Sequence, residues 1–193
     1  MWLLGLSVAF AAPPGYRVTK TVDAGACELS LGPAESDGVV PMRAECWWPD
    51  VTLDTFNQKM ARYGEHDDYF QAVVTSDVRS ASGDRTLVWQ QHHSSGISDR
   101  EVMLWMKHSN EGGFDRYGWT LATDQKLAVQ SGNVAAVRDD GYWEAAAHPK
   151  GGIRVNHTLI YGPGGSVPGF IVRAFQTGGL EANVTELHAA MRR

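Results

Sequence analysis

Pro163-Gly164-Gly165-Ser166-Val167-Pro168-Gly169-Phe170-Ile171-Val172 is the stretch whose reading decides the fold. Its paired glycines allow a tight reversal, because a residue without Cβ reaches positive φ at no steric cost. Pro168 suits the first turn of a helix, where its missing N–H would have no partner anyway. Val167, Phe170, Ile171, Ala174 and Phe175 then recur at i, i+3, i+4, i+7 and i+8, the apolar face of an amphipathic helix. Gly178-Gly179 interrupts that helix, and Leu180, Val184, Leu187 and Met191 continue its face. On the other side of the stretch, Ile153 to Tyr161 reads as a strand. The segment therefore turns a last strand into a terminal helix.

Working back from there, short strand-like runs alternate with turn residues. Tyr142 to Ala147 and Val134 to Arg138 read as strands parted by Asp139-Asp140-Gly141. Before them come Phe114 to Thr123, Glu101 to His108, Thr86 to His93 and Ala72 to Arg79. Strands joined by short Gly-rich turns form an antiparallel meander. Further upstream, Leu53, Phe56, Met60 and Tyr63 keep helical spacing, with Asp50 or Thr52 as cap and Gly64 as stop. Ala26 to Leu31 and Val39 to Trp47 flank a turn-rich loop, and folding about Ser36/Asp37 places Cys27 opposite Cys46. Facing positions of that kind suit a disulfide if the chain is exported; two buried thiols are the alternative. A large sheet covered by one long helix leaves room between them for a small molecule.

Three segments resemble the START and polyketide-cyclase superfamily. Ile97-Ser98-Asp99-Arg100-Glu101-Val102 is similar to the family's Ser-Arg-Asp-Phe-Val segment. Phe114-Asp115-Arg116-Tyr117-Gly118-Trp119 stands where the family has its next strand with an aromatic. The opening stretch resembles the Pro-Gly-Gly-x-Ile-Pro-x-Trp-Leu-Val entry into the family's terminal helix. The resemblance implies an α+β helix-grip fold over residues 20–193, an antiparallel sheet wrapped around a long C-terminal helix with an internal cavity. It also implies a lipid or other hydrophobic small molecule as partner, carried or sensed without a cofactor. The chain departs from the family at Met106, where an inward arginine often stands, so a less polar pocket base is expected.

Alternation along the strands nominates pocket residues. These are Trp89 and Gln91 on one strand, Val102, Leu104 and Met106 on the next, and Tyr117, Trp119 and Leu121 on the third. Phe170, Ile171, Ala174 and Phe175 supply the lid. A cyclase- or hydrolase-like enzyme is the alternative reading, and it needs an acid or base inside the pocket. Gln91, His93, Glu144, Arg154 and His157 are candidates for that role, read here as outer-face residues. His66, His108, His148 and His188 read as loop or surface residues. Adjacent His92 and His93 point to opposite faces of a strand, which does not suit a shared metal ion. No nucleophile elbow or phosphate loop is present.

Composition narrows the partners. The formal net charge is -5 and no Lys/Arg run occurs, which argues against nucleic acid and against a polybasic membrane patch. Seven Trp residues supply bulk for a thick core or an apolar pocket wall. Residues 1–19 read as a short signal peptide or an apolar tail. Trp2 to Phe10 is apolar, and Ala9-Phe10-Ala11 has the small-x-small form of a cleavage site. The signal reading implies a periplasmic or secreted protein, and the tail reading a cytoplasmic one; a transient membrane contact is compatible with either.

Overall fold

The expected N-terminal hairpin forms, and its register fixes the disulfide. In the computed structural model, which describes residues 12–22, 26–36, 38–167, 171–172 and 175–193, strands β2 (Cys27–Leu31) and β3 (Met42–Trp48) pair antiparallel with Cys27 opposite Cys46. The two sulfurs are bonded across this pair. Residues 1–11, the core of the expected signal segment, lie outside the described residues, as do Phe170 and Ala174.

An edge strand not read from the sequence, β1 (Arg17–Val22), pairs with β2. Its residues are exposed up to Val22, so it carries no apolar alternation. After β3 the chain makes helix α1 (Leu53–Met60). Thr52 caps it, its hydroxyl accepting the Thr55 N–H at 3.1 Å. Asp54 in the first turn and Lys59 in the last complement the helix dipole. Phe56 and Met60 face the core. Gly64 does not end this helix; it lies inside a following 3-10 segment, Tyr63–Asp68.

The long run then follows as β4 (Val73–Ser82), β5 (Arg85–His92), β6 (Arg100–Glu111), β7 (Phe114–Leu121), β8 (Val134–Ala135), β9 (Arg138–Ala147) and β10 (Ile153–Gly162). Among the described residues these strands join β1–β3 in one sheet of order β1-β2-β3-β10-β9-β7-β6-β5-β4, with short β8 parallel to β6. One expectation is corrected here. Asp139-Asp140-Gly141 is no turn: β9 runs straight through it. Glycine is needed there because a Cβ on Gly141 would lie 2.3 Å from the Thr158 carbonyl and 2.7 Å from the Trp119 ring. Close approach of a neighbour, not chain reversal, explains this glycine.

The chain closes with π-type turns at Phe175–Gly179 and helix α2 (Leu180–Met191). Leu180, Val184, Leu187 and Met191 are its buried stripe. They join Cys27, Leu29, Ala44, Cys46 and Trp48 in the main core. The end of α2 is pinned to the hairpin: His188 stacks on Trp48 at 4.7 Å, and Asp50 pairs with His188 Nε2 and Arg192 Nε, each at 2.9 Å.

Candidate functional site

Between the sheet's inner face and the start of the terminal helical segment lies a cavity of about 120 Å³. Alternation decides what each strand sends into it. β10 contributes His157, Leu159 and Tyr161; β9 contributes Asp139 and Trp143; β7 contributes Trp119. β6 supplies Leu104 and Met106, and β5 supplies Gln90 and His92. His66 and Phe70 enter from the 3-10 segment and the residues after it, while Val167, Ile171 and Phe175 close the opposite side. The walls are mostly aromatic and aliphatic.

A few buried polar groups interrupt them. Asp139 Oδ1 accepts the Trp119 indole N–H at 2.7 Å, and Oδ2 stands 3.8 Å from His92 Nδ1. Burial pushes the Asp139 carboxyl up to about 7, against the lowering effect of the Trp119 bond. Burial also pushes His66, His92 and His157 down to about 4, so these rings are neutral near pH 7. Gln90 Nε2 donates to Ser76 Oγ at 2.9 Å, and the Gln90 carbonyl oxygen lies 3.0 Å from His92 Nε2. His157 is sandwiched flat on Trp143, with ring centroids 3.7 Å apart and planes 4° apart. Arg100 reaches the wall with its guanidinium committed to the carbonyls of Ser98, Pro163 and Gly164.

The sequence-nominated residues divide. Leu104, Met106, Trp119, Ile171 and Phe175 line the cavity. Val102 shares their face but does not line the cavity, and is buried in a cluster with Val88 and Ala136. Leu121 packs beside that same cluster. Tyr117 points inward at the end filled by α1, its ring edge-on to Phe56 at 5.9 Å. Trp89 and Gln91 are on the opposite face of β5: Trp89 Nε1 donates to Glu101 and Gln91 Nε2 donates to Asp99. The alternation was right and its phase wrong. Trp89 is buried on the outer side, where Glu101 also accepts from the Gln130 N–H and the Asn133 amide and so fastens the 130–133 loop.

The polar candidates need similar correction. His157, read as an outer-face residue, is 1% exposed on the cavity wall. His66, read as a surface residue, is also buried on that wall. Glu144 faces the outer side, bonded to Arg116 and Asn156, and Arg154 pairs there with Glu45. His93 stands at the cavity edge, bonded to Asp99. Met106 lines the wall as an apolar residue, and Asp139, His92 and His157 add polar groups elsewhere on it. The signal for His157 was present in Val155, His157, Leu159 and Tyr161, a run of alternate positions sharing one face. Asp139 was hidden by the turn-like triplet around it.

This sheet closed by a terminal helix is the START-like helix-grip fold. The chain superposes on a STAR-related lipid transfer protein from Xanthomonas axonopodis with a TM-score of 0.80 at 15% identity, covering 93% of this chain and 99% of that one. Human STARD10 gives a TM-score of 0.80 at 13% identity, covering 93% of this chain and 74% of that one. An aromatase/cyclase from Streptomyces, Zhui, shares the fold more distantly, with a TM-score of 0.55 at 10% identity over 80% of this chain and 93% of that one. No protein-family model matches the chain, and no curated protein matches it in sequence.

Proposed function

We propose that the protein binds a lipid or other hydrophobic small molecule in the cavity between the sheet and the terminal helical segment, for transfer or sensing. The observation that carries this reading is the cavity itself. Protein interiors pack densely, and an unfilled apolar space destabilises the fold. An aromatic-lined space kept open beneath the terminal segment is accounted for by a ligand that fills it. Its volume of about 120 Å³ is on the scale that admits one aromatic ring, so a longer acyl chain needs the segment to move. The π-type turns at Phe175–Gly179 place two glycines where such a movement would hinge. The printed names of the lipid transfer proteins sharing the fold point the same way. The Cys27–Cys46 disulfide supports export, and no helix of the described residues is long and apolar enough to cross a membrane.

The test is a pocket-filling substitution at the lid, Ile171→Trp. Loss of uptake of an environment-sensitive naphthalene fluorophore, with the thermal unfolding midpoint kept, is the expected result. Undiminished uptake by a folded variant overturns the reading. A second reading, a cyclase- or hydrolase-like enzyme, is favoured by one observation: Asp139 is a buried carboxyl on the cavity wall with an affinity for protons suited to acid–base work near pH 7.

A further inference from the structure

Arg100 brings a charge to the cavity wall that no described carboxylate pairs with. It is 4% exposed. Its Nε donates to the Pro163 carbonyl at 3.0 Å, its Nη2 to the Gly164 carbonyl at 3.3 Å, and its Nη1 to the Ser98 carbonyl. These acceptors are neutral, and Nη1 and Nη2 each keep a second N–H with no acceptor among the described residues. The acids beside it in sequence are spent elsewhere. Asp99 is bonded to Gln91 and His93 and acts on Arg100 only at longer range. Glu101 serves Trp89, Gln130 and Asn133 on the outer side. Across the wall, Asp139 holds its proton up to about 7, and the buried histidines are neutral at that pH. A buried charge without a counter-charge is costly, and bracing a turn asks for donors rather than for a charge.

A second donor stands on the same wall. Tyr161 has its ring set against Phe175 at 5.0 Å and His92 at 5.9 Å. Burial pushes its hydroxyl up, with Asp139 adding to the shift and Arg100 opposing it, so the group stays an O–H donor and feels the guanidinium. It makes no hydrogen bond among the described residues. Nor is it one of their sealed unpartnered atoms, which are Trp48 Nε1, Arg154 Nε, Asn156 Oδ1 and His157 Nε2. Its hydroxyl is therefore open to a ligand. A guanidinium edge and an O–H on one wall suit a small planar anion of single charge. We propose that the ligand carries a carboxylate, which takes hydrogen bonds from Arg100 and Tyr161 while a flat apolar body lies against Trp119 and Trp143. This rests on the pocket reading above and narrows it from hydrophobic ligands in general to small apolar carboxylates.

The experiment titrates 4-methylbenzoate and 4-methylbenzamide, which share a shape and differ in charge, into wild type, Tyr161→Phe and Arg100→Gln. Calorimetry at about pH 6 keeps Asp139 mostly protonated. An anion entering an apolar cavity without a cation binds much more weakly than its neutral isostere. Here the carboxylate should bind more tightly than the amide by about tenfold. That preference should fall by about fivefold in Tyr161→Phe and vanish in Arg100→Gln. Should Arg100→Gln loosen the turn it braces and fail to fold, the wild-type preference and Tyr161→Phe decide. A wild type that prefers the amide, or a preference unchanged in Tyr161→Phe, overturns the carboxylate assignment while the pocket reading stands. If neither probe binds the folded wild type at millimolar concentration, both fall.

Discussion

Replacing Asp139 by Asn removes one buried titratable group while keeping a carbonyl oxygen for the Trp119 indole. In the folded protein the carboxyl is pushed up from 3.8 to about 7, chiefly by burial. A raised acid holds its proton in the folded state where the unfolded chain releases it. Its contribution to stability is therefore complete below pH 3.8 and is lost as pH rises through about 7. The full gap corresponds to about 4 kcal/mol, of which about 3 kcal/mol falls between about pH 5 and about pH 8. Asn has no such dependence, so the variant gains on the wild type by about 3 kcal/mol across that interval. His66, His92 and His157, pushed down to about 4 from 6.5, act in the opposite sense: their contribution is gained as pH rises from about 4 to 6.5. His66 and His157 are common to both proteins and cancel in the difference, and His92, 3.8 Å from Asp139, is neutral over most of that interval. Urea unfolding of both proteins at the two pH values measures it. A stability difference that does not change with pH refutes the argument that Asp139 is buried and protonated at mild acidity.

Two further outcomes follow from the same packing. Gly141→Ala forces a methyl into the Thr158 carbonyl and the Trp119 ring, and should cost at least about 1–3 kcal/mol in denaturant unfolding. A glycine serving only a turn would tolerate alanine at φ below zero. Cys27→Ala/Cys46→Ala removes a bond closing a loop with a sequence separation of 19, and should lower stability by about 3 kcal/mol; an unchanged unfolding midpoint with and without reductant would count against the bond.

What could be read from the sequence was what repeats. The β10 strand, the apolar stripe of α2 and the symmetric placing of Cys27 and Cys46 about their loop all rest on local period or spacing. Where the period carried no marker, the reading slipped. β5 holds large or polar side chains on both faces, Trp89 on one and His92 on the other, so alternation alone could not fix its phase. The phase is set by the 130–133 loop, which Glu101 fastens beside Trp89, and nothing in that polar loop announces a cover. Asp139-Asp140-Gly141 has the composition of a turn, yet its glycine exists for the Trp119 ring, a contact 22 residues away in the chain. β1 was missed because an exposed edge strand buries nothing that would mark it. The polar groups of the cavity were thus the least legible part, since each depends on a strand phase or a tertiary neighbour.

The central claim, that the cavity holds a hydrophobic small molecule, is met most directly by native mass spectrometry of the purified protein, followed by denaturation and analysis of what is released. The account predicts one apolar molecule per chain, either carried through purification or taken up from a panel of lipids and aromatic carboxylates. A protein that emerges empty and takes up none of the panel while folded would contradict it.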